Sequence, residues 1–418
     1  MLKRLMKVTS VVGAASLMTL GFTATAGAAT SSKSVITIGY ITSQTGIASS
    51  TFADGAAGAQ ARIDAQNAAG GVNGHKLKLV AEDDTSSPTT NQTAAQDLVQ
   101  AKGAFGVIDF SSFTFAAAKY LNQQGIPVTG SEFDGPEWGM QPYTNMFSYS
   151  PATYTPFNGI YYNYLAGIAK FLKQQGVTHM AGLSYGISPS AQRAVNQLLT
   201  AMKNVGVPTC YNNSTVPFGA VDFTSAALSI KSAGCNGVTA AFVDSSDIAL
   251  SNAVKQAGIK AKQYYYEGYD QSVLNSPSAM NALNGDYFPT TLNFITPNSA
   301  TQTMLNNLAK YDGNFHKGDV PDLGLFGSYI AADLMIYGLQ HAGKNPTRQA
   351  FITNMRKVTN YTASGLFAST PVSFTNFGTV KMLPKQACSY YVQLSGKKFV
   401  LANGGKSICA PLQSYGAA

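Results

Sequence analysis

The sequence predicts an α/β fold of two successive lobes, each an open parallel sheet wound on both faces by helices, and three observations carry this. Short apolar, β-branched segments alternate with helical patterns at a spacing that suits βαβ units. The alternation is punctuated by Pro151 and Pro156 and then starts again. Residues 103–138, GAFGVIDFSSFTFAAAKYLNQQGIPVTGSEFDGPEW, form a complete strand, helix, strand unit with a polar turn after each strand. In open parallel sheets ligands lie beyond the carboxyl ends of the strands, so both turns fall where a small molecule would be held.

In order, VITIGYI (35–41) is a buried strand that breaks at Ser43-Gln44-Thr45-Gly46, and an Ala-rich helix over 52–69 is stopped by Gly70-Gly71. In HKLKLVAEDD, Leu77 and Leu79 alternate with Lys76 and Lys78, the pattern of an edge strand with one wet face. A helix over 91–102, the 103–138 unit and a strand at 146–149 complete the first run. The second run reads as helix 157–175, strand 179–185, helix 189–205, strand 207–211, helix 222–233, strand 237–243, helix 246–258 and strand 263–268. After Gly285 come the strand DYFPTTL, the long helix LGLFGSYIAADLMIYGLQHAG, a helix near 347–357, and β-structure in PVSFTN and CSYYVQLSGKKFVLANG.

A chain of 418 residues with 45% hydrophobic content suits two ordinary domains, and no internal apolar run is long enough to span a membrane. Lys3, Arg4 and Lys7 precede an apolar stretch over 8–22 and small residues at 24–29, the layout of a cleavable secretory signal, expected over 1–28. No cysteine accompanies it, so no lipobox anchor is expected and the protein should be secreted, extracellular or periplasmic. Losing those three basic residues lowers the formal charge from +8 to +5. The remaining basic residues are scattered, which excludes nucleic acid as an expected partner. Charged residues are 11%, well below the ~25% usual in soluble domains, as an acidic habitat would favour.

Cys210, Cys235, Cys388 and Cys409 suggest two disulfides in an exported chain, and three pairings are open. Pairing Cys210 with Cys235 and Cys388 with Cys409 closes the shortest loops. None has metal-ligand spacing and the four histidines are isolated, so neither a metal nor another cofactor is expected.

Gly182-Leu183-Ser184-Tyr185-Gly186 fits G-x-S-x-G, the nucleophile elbow of serine hydrolases, with Asp244 or Asp270 and His316 or His341 following in the required order. Against this, no HGGG-type oxyanion segment precedes it, and five residues with two free positions recur by chance in a chain with 40 glycines. No enzymatic activity is expected. Tyr149, Tyr185 and the run Tyr264-Tyr265-Tyr266-Glu267 instead offer flat walls and a carboxylate at the end of a strand.

Taken in order, ITIGYITSQTG, GGVNGHKLKLVAEDD, FGVIDFSS, GIPVTGSEFDGPEW, FSYSP, SYG and YYEGYD resemble the type I solute-binding proteins of ABC transporters, nearest the group that binds leucine, isoleucine and valine or amides. The resemblance runs from about Val35 to Gly404. It implies two flavodoxin-like lobes joined by three crossings, closing over a ligand that is delivered to an ABC permease; a monomer is expected. Lobe 1 would comprise 34–148 and 283–366, and lobe 2 would comprise 149–282 and 367–418.

By position, the resemblance assigns Ser111 and Ser112 to the hydroxyl turn that receives a ligand carboxylate, and Glu132, Phe133 and Asp134 to the next turn. It assigns Tyr185 to an aromatic wall, Asp244 and Ser245 to a turn that carries an aromatic residue, and Glu267 to the acid that receives an ammonium. The acidic turn at 132–134 and the absent aromatic are departures, and they point away from a plain aliphatic amino acid toward a ligand with amino, amidinium or amide donors. A sensing receptor without transport is the alternative within binding proteins, and the hydrolase using Ser184 is the alternative outside them.

Overall fold

The computed structural model describes residues 34–132, 135–367 and 370–417. The expected signal segment and the expected site residues Phe133 and Asp134 lie outside the described residues.

Five strands, β1 (Ile36–Thr42), β2 (Leu77–Asp83), β3 (Gly106–Asp109), β4 (Val128–Gly130) and β5 (Met146–Ser148), form an all-parallel sheet ordered β2-β1-β3-β4-β5. This is the flavodoxin-like order. β1 and β3 are almost entirely buried because helices cover both faces, whereas edge strand β2 begins with buried Leu77 and exposed Lys78 but is half-buried to exposed from Leu79 on, so the expected alternation does not continue. Helix Leu323–His341 returns to this sheet and is apolar around its whole circumference, as a helix packed on all sides must be. It lies against helix Gly55–Ala68 so closely that a Cβ on Gly58 would stand 2.0 Å from Leu325 O, so glycine is required there.

Next in the chain come β6 (Ile160–Asn163), β7 (Met180–Tyr185), β8 (Thr209–Val216), β9 (Gly237–Ala241), β10 (Lys262–Tyr265), β11 (Tyr287–Thr290), β12 (Gln386–Ser395), β13 (Lys398–Leu401), β14 (Ile408–Pro411) and β15 (Gln413–Ala417). The second sheet is ordered β13-β12-β11-β10-β9-β7-β8. Its parallel part, β8-β7-β9-β10-β11, repeats the order of the first sheet, and β12 and β13 extend it antiparallel. The two doubly wound lobes read from the alternation are therefore present. The chain passes between them three times, after β5, after β11 and before β12.

Several expectations change. Strand β11 pairs with β10 and β12 in the second sheet, so 283–290 does not begin the return to lobe 1. Val372 bridges Tyr361, and Phe374 packs edge-on to Phe147 of β5, so residues 372–374 stay with lobe 1 and not with lobe 2, which is expected to resume at 367. The helix expected over 157–175 is Ala166–Gln174, because Asn158 and Gly159 take positive φ in a tight turn and Ile160-Tyr161-Tyr162, β-branched and aromatic, pair with β15.

Both disulfides join the cysteines nearest in sequence, Cys210 with Cys235 and Cys388 with Cys409. The second links directly opposed residues of β12 and β14. Among the described residues no helix is long and apolar enough to cross a membrane.

Candidate functional site

The carboxyl ends of both sheets face a shared cavity of about 430 Å³. From the first lobe come Thr51, Ser112, Ser131, Glu132 and Tyr149, and from the second Tyr185, Asp244, Glu267 and Tyr269. The lobes touch across it. Thr51 Oγ1 donates to Asp244 Oδ2 at 3.2 Å, Gly135 N–H donates to Ser190 Oγ at 3.0 Å, and the Phe113 and Phe218 rings meet edge to face at 5.8 Å.

The turn after β3 is built from underneath by a buried polar network. Ser43 Oγ donates to Asp84 Oδ1 at 2.7 Å, Asn91 Nδ2 donates to Asp84 and Asp109, and Thr114 Oγ1 donates to Asp109 Oδ1 at 3.0 Å. Ser111 is fully buried in this network: its hydroxyl donates to Asp84 and accepts from Phe113 N–H. Ser111 does not line the cavity, whereas Ser112 does. Burial, and secondarily the charge of Asp84, pushes the Asp109 carboxyl up to about 8.

Glu132 is buried and lines the cavity, but both its oxygens are already engaged. Oε2 accepts from Tyr154 N–H at 3.1 Å and Oε1 from Thr155 Oγ1 at 3.0 Å. Glu132 thus braces the first crossing between the lobes. Burial holds its pKa well above the usual carboxylate range despite these donors.

On the second lobe, Tyr185 ends β7. Its hydroxyl donates to Ser246 Oγ at 2.8 Å and accepts from Val243 N–H, fixing the ring against Phe218 at 4.9 Å and Phe242 at 4.5 Å. The turn after β9 supplies an aromatic wall after all, through Phe242, two residues before the assigned position. Asp244 opens helix Asp244–Gln256, where a negative charge suits the helix dipole. Its Oδ1 has no hydrogen-bond partner among the described residues. Ser245 is half-buried and does not line the cavity. Glu267 follows β10 and accepts no hydrogen bond from any described residue. Burial raises the pKa of Asp244 and Glu267 well above the carboxylate range, and neighbouring acids, Asp270 and Asp322 among them, add to it.

Sequence reasoning missed Thr51, Phe52, Phe218 and Phe326 as wall residues. No local motif marks them, since they reach the cavity only through the lobe arrangement. It also left Ser184 open as a nucleophile. Ser184 lies inside β7, fully buried with its hydroxyl unpartnered, not on a sharp exposed turn. His316 pairs with Asp319 and His341 with Tyr337 O, so neither is directed to it.

The model of the family described as periplasmic binding protein matches residues 35–398. A Leu/Ile/Val-binding protein homolog from Brucella melitensis is 23% identical over 329 residues, 78% of this chain and 84% of that protein. The substrate-binding protein LivJ of a branched-chain amino acid transporter from Streptococcus pneumoniae, in complex with isoleucine, superposes with a TM-score of 0.70 at 15% identity, covering 90% of this chain and 99% of that one. A solute-binding protein of an ABC transporter from R. palustris, in complex with benzoate, gives 0.71 at 17% identity, covering 91% and 97%. With this family match spanning both lobes and the cavity between their strand ends, the chain belongs to the periplasmic binding proteins.

Proposed function

We propose that this protein captures a small, donor-bearing solute between its lobes and delivers it to an ABC permease, acting as an exported monomer. The observation that carries the ligand side is Glu267, a half-buried carboxylate just after β10 that accepts no hydrogen bond from any described residue, beside Asp244, whose Oδ1 has no partner among the described residues. A buried carboxylate without donors is costly, and a bound solute with amino, amidinium or amide hydrogens removes that cost.

In this reading Ser112, Tyr185, Asp244 and Glu267 contact the solute. Glu132 contacts it while bracing the crossing, and Ser111 and Ser245 position their neighbours. The relatives named above hold isoleucine and benzoate, which brackets the size this cavity would take.

The test is a thermal-shift screen of amino acids, amides, amines and small aromatic acids. A solute that binds only the folded state stabilises it by about 2.7 kcal/mol at a hundredfold excess over Kd. A rise in Tm with at least one amino acid, amide or amine is expected, and no rise, or a rise only with donor-free acids, would overturn the reading.

A further inference from the structure

We propose that the cleft selects an organic cation with an aromatic body and no carboxylate; this rests on the solute-capture reading and deepens it. Four charged side chains line the cavity among the described residues, Glu132, Asp244, Glu267 and Asp270, and all are acids. Glu132 is engaged by Tyr154 and Thr155, and Asp270 Oδ1 caps helix Gln271–Asn275 through Val273 N–H and accepts from Ser272. Among the described residues, the lining carboxylate oxygens left for a ligand belong to Glu267, to Oδ1 of Asp244 and to Oδ2 of Asp270; Asp244 is only 5% exposed.

A ligand carboxylate has no comparable reception in the opposite lobe. The Ser111 hydroxyl is given to Asp84, and Phe113 N–H to Ser111. Ser131 pairs with Ser150, and Glu132 N–H is taken by Ser148 and Ser150. The guanidinium near this end, Arg193, does not line the cavity; it donates to Tyr154 O and Tyr161 Oη and sits 3.9 Å over the Tyr161 ring. An anion placed there would meet the Glu132 carboxyl, and of the serine hydroxyls lining this end Ser112 is the one without a partner among the described residues.

The walls suit the rest of such a ligand. Phe52, Tyr185, Phe242, Tyr269 and Phe326 line the cavity, and the Tyr269 hydroxyl has no partner among the described residues. Aromatic faces attract cations and pack flat rings. The acids are not gathered for a bare ion, since no cluster of three His, Cys, Asp or Glu able to hold a metal occurs among the described residues.

The experiment is calorimetric titration at neutral pH with a matched series on one body: 2-phenylethylamine, L-phenylalanine and 3-phenylpropanoate. The amine should bind at least about tenfold tighter than the amino acid, the size of one charge-assisted hydrogen bond, and the acid should give no binding heat. Glu267→Gln and Asp244→Asn should each weaken the amine about tenfold with melting curves that show an intact fold. Tighter or equal binding of phenylalanine or phenylpropanoate, no binding of the amine, or parent-like amine affinity in both variants would overturn the inference. Binding of leucine, isoleucine or valine alone would overturn it while leaving the capture of a donor-bearing solute standing; binding of benzoate alone, or of none of these solutes, would remove both.

Discussion

Thr51 and Asp244 lie in different lobes, 193 residues apart, and form a reciprocal pair: the threonine hydroxyl donates to Asp244 Oδ2 at 3.2 Å and accepts Asp244 N–H at 3.3 Å. Such a pair exists only when the cleft is shut, and it sits beside the free oxygen of the same carboxylate. Closure and ligand contact therefore share one residue.

Thr51→Val keeps the shape of the side chain and removes both hydrogen bonds. The closed state should lose about 1 kcal/mol, so a solute returned by the screen should bind about fivefold more weakly. Calorimetry measures this, and an unchanged Kd would show that the pair does not contribute to closure.

Buried acids set the pH dependence. Burial, reinforced by Asp84, raises Asp109 to about 8, and burial raises Asp286 to about 7 against the pull of Lys255 and of donors including Ser251. Both folded values exceed the ordinary carboxylate value of about 3.9. The folded state therefore holds more protons than the unfolded one between those limits, and stability falls as pH rises, by at most about 1.4 kcal/mol per pH unit per group. Tm should drop from pH 5 to pH 8, and Asp109→Asn should flatten the slope. A Tm higher at pH 8 than at pH 5 would contradict this. The low charge content noted in the sequence fits a protein whose stability favours acid.

The Cys210–Cys235 bond ties edge strand β8 to the loop before β9, away from the cavity, and closes a span of 25 residues. Replacing both cysteines with serine should cost about 3 kcal/mol in denaturant melts while leaving the rank order of solutes unchanged. An altered rank order would mean that β8 shapes the cleft.

The lobes were legible because their signals are local. Alternating apolar segments, Gly125 and the turns after Phe110 and Gly130 mark the 103–138 unit, and Tyr185 and Glu267 end strands that can be read from periodicity. Ser111 was read as facing the ligand because sequence cannot reveal Asp84 beneath it, 27 residues away. Glu132 could be placed at the cleft but not recognised as a brace, since its partners Tyr154 and Thr155 lie beyond a second strand. Thr51 and Phe326 carry no motif at all, and tertiary packing alone brings them to the cavity. The Asn158-Gly159 turn was a readable signal, overridden by the helical pattern that follows it.

The central claim is that two lobes joined by three crossings close over a solute. Small-angle scattering with and without a saturating solute tests it most directly. The solute should shift the profile toward a smaller radius of gyration and toward the curve calculated from this structure, in which Thr51 meets Asp244; superimposable profiles at saturation would contradict closure.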